Sequence, residues 1–295
     1  MKNLLSSLLI LMLSSAIAGQ NNVETNYRVF DANGKASSVR EIVAALEKAD
    51  VVFIGEQHDD PTAHVLQTEI FKAAFEKYGK QRPVALSMEM FERDTQSIVD
   101  EYLQDLINES NFIAASRAWN NYKVDYKPML EFAKQNKLPV IAANAPRRYV
   151  NRVSRLGRES LDILSPSAKS LLAPLPYAAA SKSYADKFGA LMGGMQTHGS
   201  KLLDSQSLWD ATMADSISKQ LKKQPNSLIV QLNGGFHSEN RLGAVEHLLK
   251  YNPSARIIVV TIKSVENFPN FDAEKDAKAG DYVILTDPKL PRSIK

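Results

Sequence analysis

The chain has 295 residues, no cysteine, and 36 basic residues against 33 acidic ones. Disulfides, cysteine metal sites and a lipid anchor on an N-terminal cysteine are thereby excluded, so a metal would have to be held by His, Asp, Glu or Tyr. With Lys2 removed in a cleaved leader the balance becomes 35 to 33, a net of +2 (35 − 33), which points to no nucleic acid or other polyanion as partner.

The stretch MKNLLSSLLILMLSSAIA, residues 1–18, joins Lys2 to an apolar run from Leu4 to Leu13 and small residues at Ala16 and Ala18. This is the pattern of a secretory signal cut before Gly19. The run is shorter than the about 20 apolar residues a membrane-spanning helix needs. The expectation is a periplasmic or secreted protein that is not lipidated. Next, YRVFDANGK from 27, with its Asn-Gly turn, predicts an edge strand or hairpin. Runs rich in Val and Ile then recur: VVFIG from 51, VALSME from 84, LPVIAAN from 138, SLIVQLNG from 227, RIIVVTI from 256 and YVILTD from 282. Helical periodicity between most of them predicts an α/β fold, a mainly parallel sheet with helices on both faces.

The helix after the first of these runs is the clearest. Asp60 caps it, Pro61 suits its first turn, Leu66, Ile70 and Ala74 share one face, and Gly79 stands where it should stop. Residues 148–205 break the rhythm with helix-like segments and no convincing strand. They predict a small all-helical domain inserted between the two parts of the α/β domain, 23–147 and 206–288. In DSQSLWDATMADSISKQL from 204, Trp209, Met213 and Ile217 recur at four-residue spacing and read as core positions.

Candidate chemistry collects at strand ends, because ligands of open parallel sheets bind along the carboxyl edge. VVFIGEQHDD and LNGGFH each end in Gly, two residues, then His: Gly55 to His58 and Gly234 to His237. With Glu56 and Glu89 these tips bring two imidazoles and two carboxylates to one edge, a set able to bind a divalent metal, activate its water and supply a base. The plain alternative for each His is a loop imidazole hydrogen-bonded to backbone. A third end, IAANAPRRYVNRV, offers Asn144 as a helix cap, Pro146 in the first turn, and then Arg147, Arg148, Tyr149 and Arg152. Guanidinium groups favour a nearby phenolate, which ligates haem iron, and they suit the haem propionates. The plain reading is a solvated, Arg-rich first turn. MGGMQTHGSK, centred on His198, reads either as a mobile apolar lip over a flat ligand or as an interhelical turn. Trp119, Tyr122 and Tyr126 form a partly buried aromatic cluster. His64 faces outward or toward the edge, and His247 belongs to the surface.

Taken together, FIGEQHDDPTAH, SMEMFERDTQ, VIAANAPRRYV, SQSLWDATMA and NGGFH resemble the ChaN family of haem-binding proteins, within a superfamily that includes TIKI-type metalloproteases and erythromycin esterases. The motifs run in the same order over nearly the whole chain after the leader. The resemblance implies a parallel sheet flanked by helices, a small helical domain, and haem held between two protomers. A Tyr on the iron carries over to Tyr149, and a His from the partner near the propionates carries over to His198. Haem as cofactor, a homodimer formed on haem binding, and an outer-membrane haem receptor as partner follow from the same resemblance. Members are commonly outer-membrane lipoproteins, a feature from which this Cys-free chain departs. The superfamily's enzymes use paired Gly-x-x-His tips with a carboxylate, so a metal-dependent hydrolase acting through Glu56, His58, Glu89 and His237 is the alternative.

Overall fold

The computed structural model describes residues 25–194 and 200–293. The chain opens with β1 (Tyr27–Asp31), α1 (Val39–Ala45), β2 (Val51–Glu56), α2 (Pro61–Tyr78) and β3 (Val84–Glu92). It continues through α3 (Gln96–Leu103), α4 (Glu109–Ser116), a π-helical turn (Tyr122–Tyr126), α5 (Lys127–Gln135) and β4 (Val140–Asn144). Then come α6 (Arg147–Leu156), α7 (Pro166–Ser170), α8 (Lys182–Leu191) and the long α9 (Lys201–Lys223). The last part holds β5 (Leu228–Gly234), α10 (Ala244–Tyr251), β6 (Ile257–Ser264), α11 (Ala273–Asp276) and β7 (Tyr282–Thr286).

All six Val/Ile-rich runs are strands, and YRVFD is the edge strand. The sheet has seven strands in the order β1-β7-β6-β2-β5-β3-β4, parallel except where β1 meets β7. Successive residues of a strand face opposite sides. In β2, Val52 and Ile54 therefore join Leu66, Ile70, Phe71 and Ala74 of α2 on one face. Val51 and Phe53 join Met213, Ala214 and Ile217 of α9 and Val245 and Leu248 of α10 on the other. Each such Val, Leu, Ile, Phe or Met side chain, fully buried, stabilises the fold by about 1.5–3 kcal/mol. Coverage on both faces is why β2 reads as an unbroken apolar run rather than an alternating one.

The helix after β2 follows the expected signals. Asp60 accepts from the backbone N–H groups of Thr62 and Ala63, Pro61 opens the helix, and it ends at Gly79. The helix after β4 does not. Asn144 ends the strand, and its Oδ1 accepts from the N–H of Ala145 at 2.9 Å instead of capping α6. Pro146 takes the cap position with no side-chain cap, since its ring fixes φ and holds Ala145 out of the helical region. Between α6 and α9 the described residues contain helices and turns but no strand. Val150, Val153, Leu161, Leu172 and Tyr177 pack there against Leu208 and Ala211 of α9. Among the described residues no helix is long and apolar enough to cross a membrane.

Candidate functional site

Strands β2 and β5 lie side by side in parallel register, with Glu56 opposite Gly234, so the two tips end level on the same edge. Two glycines allow this. A side chain at Gly55 would place its Cβ 2.8 Å from Gly235 Cα, so the backbones meet there directly. A Cβ at Gly234 would stand 2.8 Å from His58 Nε2, so the missing side chain is the space that the imidazole occupies.

Behind the first tip is a buried polar network. Glu56 Oε1 meets His58 Nδ1 at 2.9 Å and accepts from the Tyr126 hydroxyl at 2.6 Å. Glu56 Oε2 lies 3.0 Å from His64 Nδ1, and His64 Nε2 lies 3.4 Å from Asp125 Oδ2. Burial pushes the Glu56 carboxyl up, but the hydrogen bonds and positive charge of His58 and His64 overcome this and hold it below the usual range. Burial pulls His64 down, yet Glu56 and then Asp125 carry it to about 9. The same contest, with Glu56 and Glu89 prevailing over burial, raises His58. Burial and the Glu56 charge push Tyr126 far up, so the phenol stays a proton donor. His64 is thus a buried, charged member of this network and not an outward-facing residue; it is only 3% exposed. Tyr122 and Tyr126 are fully buried, while Trp119 sets its ring edge-on to His58 with centroids 4.9 Å apart.

The second tip has its own partner. His237 Nδ1 pairs with Asp210 Oδ1 at 2.7 Å, and the Tyr184 hydroxyl donates to Asp210 Oδ2. Glu89 Oε2 accepts from the N–H of Gly234 at 2.7 Å, and Glu89 Oε1 lies 3.6 Å from His237 Nε2. Burial opposes the charge on His237, but Glu89 and Asp210 raise it to about 9. Glu89, His58, His237, Trp119 and Trp209 line a cleft of about 320 Å³. Trp209 therefore faces this cleft, whereas Met213 and Ile217 of the same helix are core. His247 is not on the surface: it is 3% exposed, and burial drives it down to about 4.

The four residues of the metal expectation, Glu56, His58, Glu89 and His237, do come to one edge. Each imidazole, however, turns Nδ1 to a carboxylate partner of its own, Glu56 for His58 and Asp210 for His237. Among the described residues no group of three or more His, Asp and Glu side chains is arranged to hold a metal ion. The structure does not support a divalent-metal centre.

Beside this cleft opens a larger one of about 850 Å³, lined by His58, Trp119, Arg117, Arg147 and Arg148 among others. Arg147 lines both clefts. Tyr149 follows on the first turn of α6, half-buried against the cluster that includes Val150, Val153 and Leu208, with the Arg148 guanidinium over its ring at 4.5 Å; it is itself among the lining residues of neither cleft. Arg152 is among the lining residues of neither cleft, and its Nε donates to the Ser160 carbonyl at 2.9 Å. His198 lies outside the described residues.

The motif that carries these arginines and Tyr149 falls inside a family match. A family model described as haem-binding uptake, Tiki superfamily, ChaN matches residues 42–248. The chain belongs to the ChaN family. Among solved structures, this ChaN-family chain is similar to one titled for cofacial heme binding to ChaN of Campylobacter jejuni. The identity is 20% and the TM-score 0.66, over 89% of this chain and 97% of that one. It is also similar to a Bacillus cereus protein at 11% identity and TM-score 0.51, over 93% of this chain and 98% of the other. At these identities the likeness establishes the fold, a mostly parallel α/β sheet. A comparison with curated proteins found no match.

Family membership supports haem binding, and the ChaN-family residues described above fit such a ligand. The large cleft has one guanidinium, Arg147, with no ion pair among the described residues, an indole wall at Trp119, and a second guanidinium, Arg148, which also lies over the Tyr149 ring. Asp210, Asp125, Tyr126 and Asp94 were not legible as site residues. Asp210 sits next to Trp209 in a helix whose spacing reads as core, and nothing local distinguishes it from a surface acid.

Proposed function

We propose that this protein binds haem through the phenolate of Tyr149, with Arg147 holding a propionate and Arg148 standing beside the tyrosine, and that two protomers close over the ligand. Haem, when bound, supplies a ferric iron that a phenolate oxygen ligates and carboxylates that guanidinium groups bind. The observation that carries the reading is the family match over residues 42–248, which contains the Arg147-Arg148-Tyr149 turn, whose two arginines line the large cleft. The work of this chain's own residues is to bind and orient. Arg148 sets its guanidinium over the Tyr149 ring, Trp119 offers a flat apolar wall, and Arg147 presents a cation that has no ion pair among the described residues. A periplasmic or secreted site of action, and an outer-membrane haem receptor as the source of the ligand, are part of the same proposal.

Hemin titration followed by sizing tests ligand and assembly together. Binding should give a phenolate-type charge-transfer band that is lost in Tyr149→Phe, and the particle should double in mass on loading. An unchanged spectrum in Tyr149→Phe refutes the ligand, and a monomeric loaded protein refutes the shared interface. Loading of His198→Ala asks whether that residue contributes from the partner.

A further inference from the structure

Asp94 lines neither cleft, yet both of its carboxylate oxygens are committed. It stands in the short turn Arg93–Thr95 that follows β3, with its side chain 15% exposed. Oδ1 accepts from an Nη of Arg117 at 2.6 Å, and Oδ2 accepts from Nη1 of Arg148. Arg117 ends α4 with a left-handed φ of 56° and also donates to Glu92 Oε2 at 2.7 Å. Arg148 is the second residue of α6, and its guanidinium lies 4.5 Å from the centre of the Tyr149 ring. One carboxylate thus ties the end of α4 to the start of α6 across the large cleft, and fixes a long side chain that is otherwise 48% exposed.

An isolated surface ion pair contributes little to stability. This one is different in where it leaves the cation. Without Asp94, Arg148 would sample its many rotamers in water, and the positive charge over the phenol ring would be an average and not a fixed contact.

We propose that Asp94 is a positioning residue for the tyrosine site: it holds Arg148 over Tyr149 and so sets the charge environment of the phenolic oxygen. The proposal rests on the reading of Tyr149 as the iron ligand. A fixed cation on an aromatic face contributes enough that Asp94→Asn should weaken hemin binding about tenfold. It should also shift the phenolate band while leaving the melting temperature of the haem-free protein unchanged. Asp94→Glu, which keeps the carboxylate, should restore most of the affinity. In a Tyr149→Phe background, Asp94→Asn should have no further effect. Unchanged affinity and band in Asp94→Asn, or equal weakening with and without Tyr149, overturns the proposal. A measurement that needs no haem separates this from the ligand assignment. The Arg148 Nη1–H resonance of the haem-free protein should exchange slowly with water in the wild type and rapidly in Asp94→Asn. An Arg148 signal indifferent to that substitution overturns the positioning role whatever haem does, whereas a Tyr149→Phe protein that keeps the band overturns the ligand reading alone.

Discussion

Replacing Asp210 by Asn tests the buried charge at the second tip. The carboxylate faces His237 Nδ1 at 2.7 Å and receives the Tyr184 hydroxyl, and it is completely buried. His237 is raised from 6.5 to about 9 in the fold. A folded pKa above the unfolded one stabilises fully below pH 6.5, and the contribution disappears as pH rises through about 9. The whole shift is equivalent to about 3 kcal/mol. Glu89 raises His237 through its charge and Asp210 through both its charge and its hydrogen bond, so the part lost in Asp210→Asn is on the order of 1–2 kcal/mol. Asn retains the volume and can still accept from Tyr184, which leaves the pH-dependent part as the difference to measure. Urea unfolding of wild type and variant at about pH 6 and about pH 9.5 gives it. The variant should be less stable at the lower pH by roughly that amount more than at the higher pH, and its His237 resonance should titrate at lower pH. Equal destabilisation at both values would refute the charge argument and leave only a lost hydrogen bond.

Gly234→Ala places a methyl 2.8 Å from His58 Nε2, so the imidazole must leave Trp119 at a cost of about 1–2 kcal/mol, read from unfolding and from the fluorescence of the indole it abuts. Gly55→Ala should cost more, about 2–3 kcal/mol, because the obstruction is Gly235 backbone, which has no rotamer to escape into; thermal melting checks the order of the two. Asp60→Ala removes the cap of α2 along with the hydrogen bond from Thr286 Oγ1, so a loss of about 1–2 kcal/mol is expected on urea denaturation, and no loss would show the cap to be idle.

The strands, their parallel arrangement and the boundaries of α2 were legible in the sequence because each depends on local terms. These are an apolar run bounded by breakers, a capping carboxylate beside Pro61, and a glycine at the far end. The Gly-x-x-His echo was legible too, and the register of β2 on β5 makes it a single edge. What no local pattern carries is the identity of the partners. His237 finds its carboxylate 27 positions away, Glu89 takes the Gly234 N–H across 145, and Tyr126 reaches Glu56 across 70. Of the four residues that read as a metal set, His58 is claimed by Glu56, His237 by Asp210 and Glu89 by the Gly234 N–H; His247, which read as a surface residue, is buried, and His64, which read as facing outward or toward the edge, is buried beside Glu56 and Asp125. Composition and periodicity decide which segments become strands and helices, since those energies are summed over neighbours in sequence. Which ionisable groups share a buried space is decided only by packing, because the cost of burying each charge is offset by a partner that the tertiary fold delivers.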